Sequence, residues 1–77
     1  MLIRVYSKPS CQQCTATKRW LSDRGIPFEE GDLTEPDNLA AAKALGHSSA
    51  PVVVVGDRSW SGFRPDFLDE IAERVKE

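Results

Sequence analysis

Residues 2–14 read LIRVYSKPSCQQC and place a short strand directly before a pair of cysteines. Over residues 2–6, apolar and polar side chains alternate and two of them are β-branched, a pattern typical of a β-strand. The chain then turns at Lys8-Pro9-Ser10. A helix is predicted over residues 11–24, because this stretch holds no Gly or Pro, carries basic residues in its second half and is followed by Gly25. Both cysteines therefore fall in the first turn of that helix.

The rest of the chain continues the alternation of strands and helices. Residues 26–33 predict a second strand, and a helix follows with Thr34 as its cap and Pro36 near its first position, running to Gly46. Residues 52–55 are four consecutive valines, which favour a strand buried on both faces, and residues 58–61 return as an antiparallel strand. A last helix starts at Pro65-Asp66. Its predicted apolar stripe is Phe67, Leu68, Ile71 and Val75.

This order, βαβαββα, predicts an α/β fold with a four-stranded mixed sheet flanked by three helices. The chain has 77 residues, which suits one domain over residues 1–77. Hydrophobic residues make up 40% and charged residues 29%, a balance typical of a globular protein. The net charge of -2 argues against nucleic-acid and anionic-membrane partners. With no signal-peptide pattern at the amino terminus and no apolar run that could span a bilayer, a soluble cytoplasmic protein is expected.

The cysteine pair carries the chemistry. A C-x-x-C motif between a strand and a helix of a βαβ pattern is typical of a thioredoxin-like redox site. Cys11 at the helix start would meet unpaired backbone N–H groups and the positive end of the helix dipole, which lower the pKa of its thiol, and Lys8 adds to that effect. Cys11 is therefore the predicted nucleophile. Cys14, one turn deeper, is the predicted resolving cysteine, which closes the Cys11–Cys14 disulfide.

Two other uses of a C-x-x-C motif are a structural disulfide and a metal site. A purely structural disulfide is disfavoured, because closing a four-residue loop restrains the unfolded chain by only about 2 kcal/mol. Zinc normally needs four ligands, and the sequence offers no second cysteine pair. His47, the only histidine, is predicted to be an exposed loop residue. Two chains could still pool their thiolates around an iron-sulfur cluster, so a cluster carrier remains an alternative.

Three segments together resemble the NrdH-redoxins, and the resemblance covers essentially the whole chain. They are residues 6–18 (YSKPSCQQCTATK), 49–54 (SAPVVV) and 60–66 (WSGFRPD). The last segment discriminates best, because the first two are shared with glutaredoxins and thioredoxins generally. The resemblance implies a glutaredoxin-sized thioredoxin fold and a carrier without an organic cofactor, expected to be a monomer. It also implies thioredoxin reductase as electron donor and the large subunit of class Ib ribonucleotide reductase as acceptor.

The resemblance further implies the residues that contact partners. In the family the proline matching Pro51 is cis and faces the active disulfide, which exposes the backbone of Ala50 for strand-like pairing with a substrate. Glutaredoxins usually bind glutathione through a Gly-Gly and acidic pair before the last helix, whereas this chain has Ser61-Gly62-Phe63-Arg64-Pro65-Asp66 there. The glutathione site looks incomplete, and a glutathione-dependent glutaredoxin is therefore the alternative rather than the leading hypothesis.

In that loop, Trp60 and Phe63 are predicted to form an apolar docking surface, with core packing as the alternative for Trp60. Arg64 and Asp66 would fix the loop or cap the last helix through hydrogen bonds. Gln12-Gln13 departs from the Val-Gln that is commoner between the cysteines of the family. The complete predicted partner-binding set is Lys8, Gln12, Gln13, Ala50, Pro51, Trp60, Ser61, Gly62, Phe63, Arg64 and Asp66.

Overall fold

A computed structural model describes residues 2–75, apart from the side chain of Val75. The last member of the predicted apolar stripe thus lies outside the described side chains. The elements are β1 (Ile3–Ser7), α1 (Gln12–Asp23), β2 (Glu29–Asp32), α2 (Pro36–Ala44), β3 (Val52–Val55), β4 (Arg58–Ser61) and α3 (Pro65–Val75). The predicted order βαβαββα is confirmed.

The four strands form one mixed sheet in the order β2-β1-β3-β4. β1 pairs with β2 in parallel and with β3 antiparallel, and β4 pairs antiparallel with β3. The two central strands supply most of the buried apolar residues of the sheet, whereas the edge strand β2 carries exposed Glu29, Glu30 and Asp32. Exposed charges on an edge strand discourage pairing with another chain.

Helices cover both faces of the sheet because the side chains of a strand alternate between them. On one face, Val5 and Val53 pack with Leu21 of α1 and with Leu68 and Ile71 of α3. On the other, Tyr6 and Val52 pack with Ala42 of α2. Burying each large aliphatic side chain contributes about 2 kcal/mol of hydrophobic stabilisation. The first face thus holds α1 firmly, and the functional cysteines lie at the start of that helix.

Two predicted boundaries are wrong for identifiable reasons. The second strand begins at Glu29 rather than at residue 26, because the N–H of Ile26 bonds to the carbonyl of Leu21 at 3.0 Å and so belongs to the end of α1. The N-cap of α2 is Glu35 rather than Thr34, and Glu35 makes no capping bond through its side chain. The backbone N–H and hydroxyl of Thr34 donate to Oδ1 of Asp32 instead, at 2.8 and 2.7 Å, and these bonds hold the pKa of Asp32 below its usual value.

Within residues 2–75, no helix combines the length and apolar character needed to cross a bilayer.

Candidate active site

Cys11 is the N-cap residue of α1, and its side chain acts as the cap. Its backbone is extended, with φ -108° and ψ 108°, and its Sγ accepts a hydrogen bond from the N–H of Cys14 at 3.1 Å. A Ser, Thr or Asp oxygen usually takes this role, satisfying one of the four unpaired N–H groups of a helix start. The predicted helix start is thus confirmed to within one residue. The same N–H can stabilise a thiolate on Cys11 when the disulfide is reduced.

The two cysteines are joined by a disulfide, with their Cα atoms 5.2 Å apart, and they differ in exposure. Cys14 is 2% exposed, whereas Cys11 is only half-buried. An open cleft of about 620 Å³ lies against the pair. It is lined by Lys8, Pro9, Ser10, Cys11, Gln12, Cys14, Thr15 and Lys18. A partner sulfur therefore meets Cys11 before it can meet Cys14.

Two lysines and no carboxylate line this cleft. Lys8 is exposed, as a residue predicted to contact partners should be, and makes no ion pair within residues 2–75. The second lysine, Lys18, pairs with Glu30 of β2 at 3.0 Å. Lys8 is thus the cation of the cleft that is free to approach a partner.

Ser10 bends the chain sharply just before the nucleophile. Its φ of 58° places it in the left-handed region, which non-glycine residues rarely adopt. Sequence reasoning predicted a turn here but had no signal for this conformation, because the common turn chemistry would place Gly or Asn at such a position.

The Ala50–Pro51 peptide bond is cis, as the resemblance implies. Pro51 is buried, and its carbonyl accepts a hydrogen bond from the N–H of Gly62 at 2.8 Å. Ala50 is half-buried, and its backbone groups make no backbone hydrogen bond to any residue between 2 and 75. This leaves the backbone of Ala50 available for pairing with a partner segment.

Trp60 packs in the core rather than on a docking surface. It lies opposite Val53 in the β3–β4 pair, on the sheet face that α1 and α3 cover, and it is only 5% exposed. Its ring centroid is 5.1 Å from that of Phe67. The core-packing alternative is therefore the correct one for Trp60, and the predicted apolar docking surface is reduced to Phe63, which is half-buried.

Arg64 and Asp66 fix the start of α3, as predicted. The guanidinium of Arg64 donates from Nε and Nη2 to the two carboxylate oxygens of Asp66, at 3.3 and 3.0 Å. It also lies 4.4 Å from the ring centroid of Phe67. The hydrogen bonds from Arg64 hold the pKa of the Asp66 carboxyl below its usual value.

Gln13 is connected to this loop by a contact that sequence reasoning missed. Its Oε1 accepts a hydrogen bond from the N–H of Phe63 at 3.1 Å, across fifty residues of chain. A Cβ placed on Gly62 would lie 3.3 Å from the same oxygen. The glycine was the one available signal, since it indicates a close approach by some other group without saying which. Gln12 is exposed at the rim of the cleft.

Among residues 2–75, no three or more His, Cys, Asp or Glu side chains lie close enough together to hold a metal ion. His47 is half-buried rather than exposed, and its Nε2 is hydrogen-bonded to the hydroxyl of Ser59 at 2.8 Å.

The sheet order, the cysteine pair at the start of α1 and the cis proline just before β3 define a thioredoxin-fold thiol-disulfide redox protein. The sequence profile of the glutaredoxin family matches residues 3–60. The glutaredoxin-like protein NrdH of Escherichia coli K12 is 43% identical over 72 residues, covering 92% of this chain and 89% of that protein. The chain belongs to the glutaredoxin family and, within it, to the NrdH-redoxins.

Two further comparisons support this placement. The glutaredoxin-like protein NrdH of Lactococcus lactis strain IL1403 is 39% identical over 72 residues, covering 92% of this chain and 100% of that protein. The solved structure of NrdH-redoxin from Escherichia coli superposes with a TM-score of 0.87, covering 92% of this chain and 95% of that one.

Proposed function

We propose that this protein carries electrons from thioredoxin reductase to the large subunit of class Ib ribonucleotide reductase by dithiol-disulfide exchange. The observation that carries the proposal is the unequal placement of the two sulfurs. Cys11 caps α1 beside an open cleft, and Cys14 is buried directly behind it. Such a pair suits a carrier that must attack a disulfide on another protein and then release it.

The exchange proceeds in two displacements. The Cys11 thiolate attacks one sulfur of the partner disulfide, forms a mixed disulfide and expels the other partner sulfur as a thiolate, which takes up a proton. Cys14 then loses its proton and attacks Sγ of Cys11, so that the second partner sulfur leaves and the Cys11–Cys14 disulfide forms. The partner gains two electrons and two protons. Thioredoxin reductase returns two electrons from NADPH to the carrier by the reverse exchange.

Two features support a reductase rather than glutathione as the electron donor. The NrdH-redoxin of Escherichia coli is described as having a thioredoxin-like activity profile. In this chain Arg64 engages both carboxylate oxygens of Asp66 in the first turn of α3, so a small charged ligand would have to compete with that ion pair for the carboxylate. This competition disfavours the predicted glutathione-dependent alternative.

A coupled assay tests the proposal. With NADPH and thioredoxin reductase, the reduced carrier should support turnover of class Ib ribonucleotide reductase. NADPH oxidation should stop when either thioredoxin reductase or the carrier is omitted. A parallel reaction with glutathione and glutathione reductase should run at least about tenfold more slowly at equal carrier concentration. Faster turnover with glutathione, or none with the reductase, would contradict the proposed partners.

A further inference from the structure

We infer that Lys18 supplies the positive charge that favours the thiolate form of Cys14 when this cysteine resolves a mixed disulfide. The inference rests on the proposed function and deepens it, because it concerns the second of the two displacements. Cys14 must lose a proton before its sulfur can attack Cys11. It is only 2% exposed, and burial disfavours the charged thiolate.

The group that offsets this cost of burial is a cation of the redox cleft. No carboxylate of residues 2–75 lines the cleft beside the cysteines, so the proton of Cys14 passes through the open cleft to water. The N–H of Cys14, in the first turn of α1, donates to Sγ of Cys11 and so serves the other sulfur. The charges left to stabilise a Cys14 thiolate are the two lysines of the cleft, Lys8 and Lys18.

Lys18 is the lysine that α1 places on the same side as Cys14. Side chains four residues apart lie on one face of an α-helix, with Cβ atoms about 5–6 Å apart. Cys14 and Lys18 have this spacing within α1, and both line the redox cleft. Lys8 is exposed and lies in the turn before Cys11. Lys18 is therefore fixed to the helix face that carries the resolving cysteine.

Glu30 of β2 holds the Lys18 ammonium in place. Nζ of Lys18 lies 3.0 Å from Oε1 of Glu30, and the side chain of Lys18 is 32% exposed. Glu30 does not line the redox cleft but borders a second cleft, which lies at the carboxyl ends of β1 and β2. The ion pair therefore presents its positive end to the cysteines.

Other charged groups on this side of the molecule lie outside the redox cleft. Asp32 of β2 borders the second cleft, where its carboxylate accepts two hydrogen bonds. Arg64, in the loop before α3, is bonded to Asp66. The residue of β1 that borders the second cleft is Ser7, which is uncharged. Among residues 2–75, the charge of the redox cleft thus comes from its two lysines.

Titration of the Cys14 thiolate tests the inference without any partner protein. Reduced Cys11→Ser retains Cys14 as its one cysteine, and the ultraviolet absorbance of the thiolate gives the titration midpoint. Adding Lys18→Gln should move the midpoint up by about 0.5 pH, as expected when one cation about 6 Å away is lost from a wet site. Adding Lys18→Arg keeps the charge and should move the midpoint by less than about 0.2 pH. An unmoved midpoint in Lys18→Gln would overturn the inference.

Arg19→Gln is the matched control. It removes the same charge from the next position of α1, which is exposed and makes no ion pair within residues 2–75. In the same Cys11→Ser background it should leave the midpoint where it is. A rise equal to that of Lys18→Gln would assign the effect to net charge and contradict the role of Lys18.

The rate of the resolving step gives a second readout, which a merely structural role would not produce. An uncharged dipyridyl disulfide reacts first with Cys11, and Cys14 then attacks Sγ of Cys11 and expels the second pyridinethiolate in a step that does not depend on reagent concentration. In Lys18→Gln this step should be about twofold slower below the midpoint and no slower above it, because fewer thiolates form but each is a stronger nucleophile. Equal slowing at every pH would indicate a displaced helix and contradict the inference.

These experiments use neither thioredoxin reductase nor ribonucleotide reductase. Failure of the coupled assay would therefore refute the proposed partners without moving the Cys14 titration midpoint. An unmoved midpoint in Lys18→Gln would refute the role of Lys18 while the coupled assay still succeeded.

Discussion

At the scale of single residues, the site depends on a few hydrogen bonds made by side chains at the starts of α1 and α3. The sulfur of Cys11 caps α1, where an oxygen is usual. Gln13, from the redox motif, accepts a hydrogen bond from the N–H of Phe63 in a distant loop. Arg64 donates hydrogen bonds to the carboxylate of Asp66 at the start of α3. Each of these hydrogen bonds has an ordinary length, and each involves a residue that is at least partly exposed. The effect of each on stability is modest, and its effect on what a partner meets is direct.

The Arg64–Asp66 pair allows a prediction with a definite sign. Because Arg64 lowers the pKa of Asp66, the pair is complete above the usual aspartate pKa, and its contribution to stability is lost as the pH falls through the lowered value. In Arg64→Gln, an NMR titration should show the pKa of Asp66 rising towards its usual value. Arg58→Gln is the control, since that guanidinium also lies near Phe67 but pairs with Glu70. An equal rise in the control would contradict the assigned cause.

At the scale of elements, β1 and β2 approach each other closely at one point. Gly31 of β2 is the register partner of Tyr6 in β1, and a Cβ on Gly31 would lie 2.5 Å from Cδ1 and 2.7 Å from Cε1 of the tyrosine ring. Contacts that short do not occur, and the ring is buried with Val52 and Ala42, so it has little room to move. The glycine is therefore needed for the packing of β2 against Tyr6.

Gly31→Ala should lower the free energy of unfolding by about 1–3 kcal/mol, as overpacking does in a filled site. Urea denaturation measures this loss in the free energy of unfolding, and the m-value should be unchanged. The matched control is the same substitution in a Tyr6→Ala background, where the ring is absent and the added methyl group should cost less. An equal loss in both backgrounds would show that the tyrosine ring is not the cause.

At the scale of the whole molecule, what could be predicted from the sequence was what depends on local pattern. The seven elements, their order and the cysteine pair at a helix start all follow from periodicity, turn residues and the C-x-x-C spacing. Trp60 shows what local pattern cannot predict. A tryptophan in a hairpin suits a core and a docking surface equally well, and only the strand register, which places it opposite Val53, decides between them. The bond between Gln13 and Phe63 shows it again, since no local signal identifies partners that only the assembled fold brings together.

The boundary errors have the same origin. Residues 26–28 have a composition typical of a strand, but the buried Ile26 is held by the end of α1 before β2 can begin. Thr34 has the chemistry of a cap, but Asp32 takes both of its donors. In each case a specific hydrogen bond outweighed a local propensity of a few tenths of a kcal/mol: a backbone bond at the helix end for Ile26, and bonds to a carboxylate for Thr34.

The central claim is that Cys11 attacks and Cys14 resolves, and trapping of mixed disulfides tests it most directly. Reduced Cys14→Ser and Cys11→Ser are each mixed with an oxidised protein disulfide such as insulin, quenched with acid and analysed by non-reducing mass spectrometry. Cys14→Ser should accumulate a mixed disulfide through Cys11, and Cys11→Ser should form at least about tenfold less adduct, because Cys14 is 2% exposed. Comparable adducts through Cys14, or none through Cys11, would contradict the account.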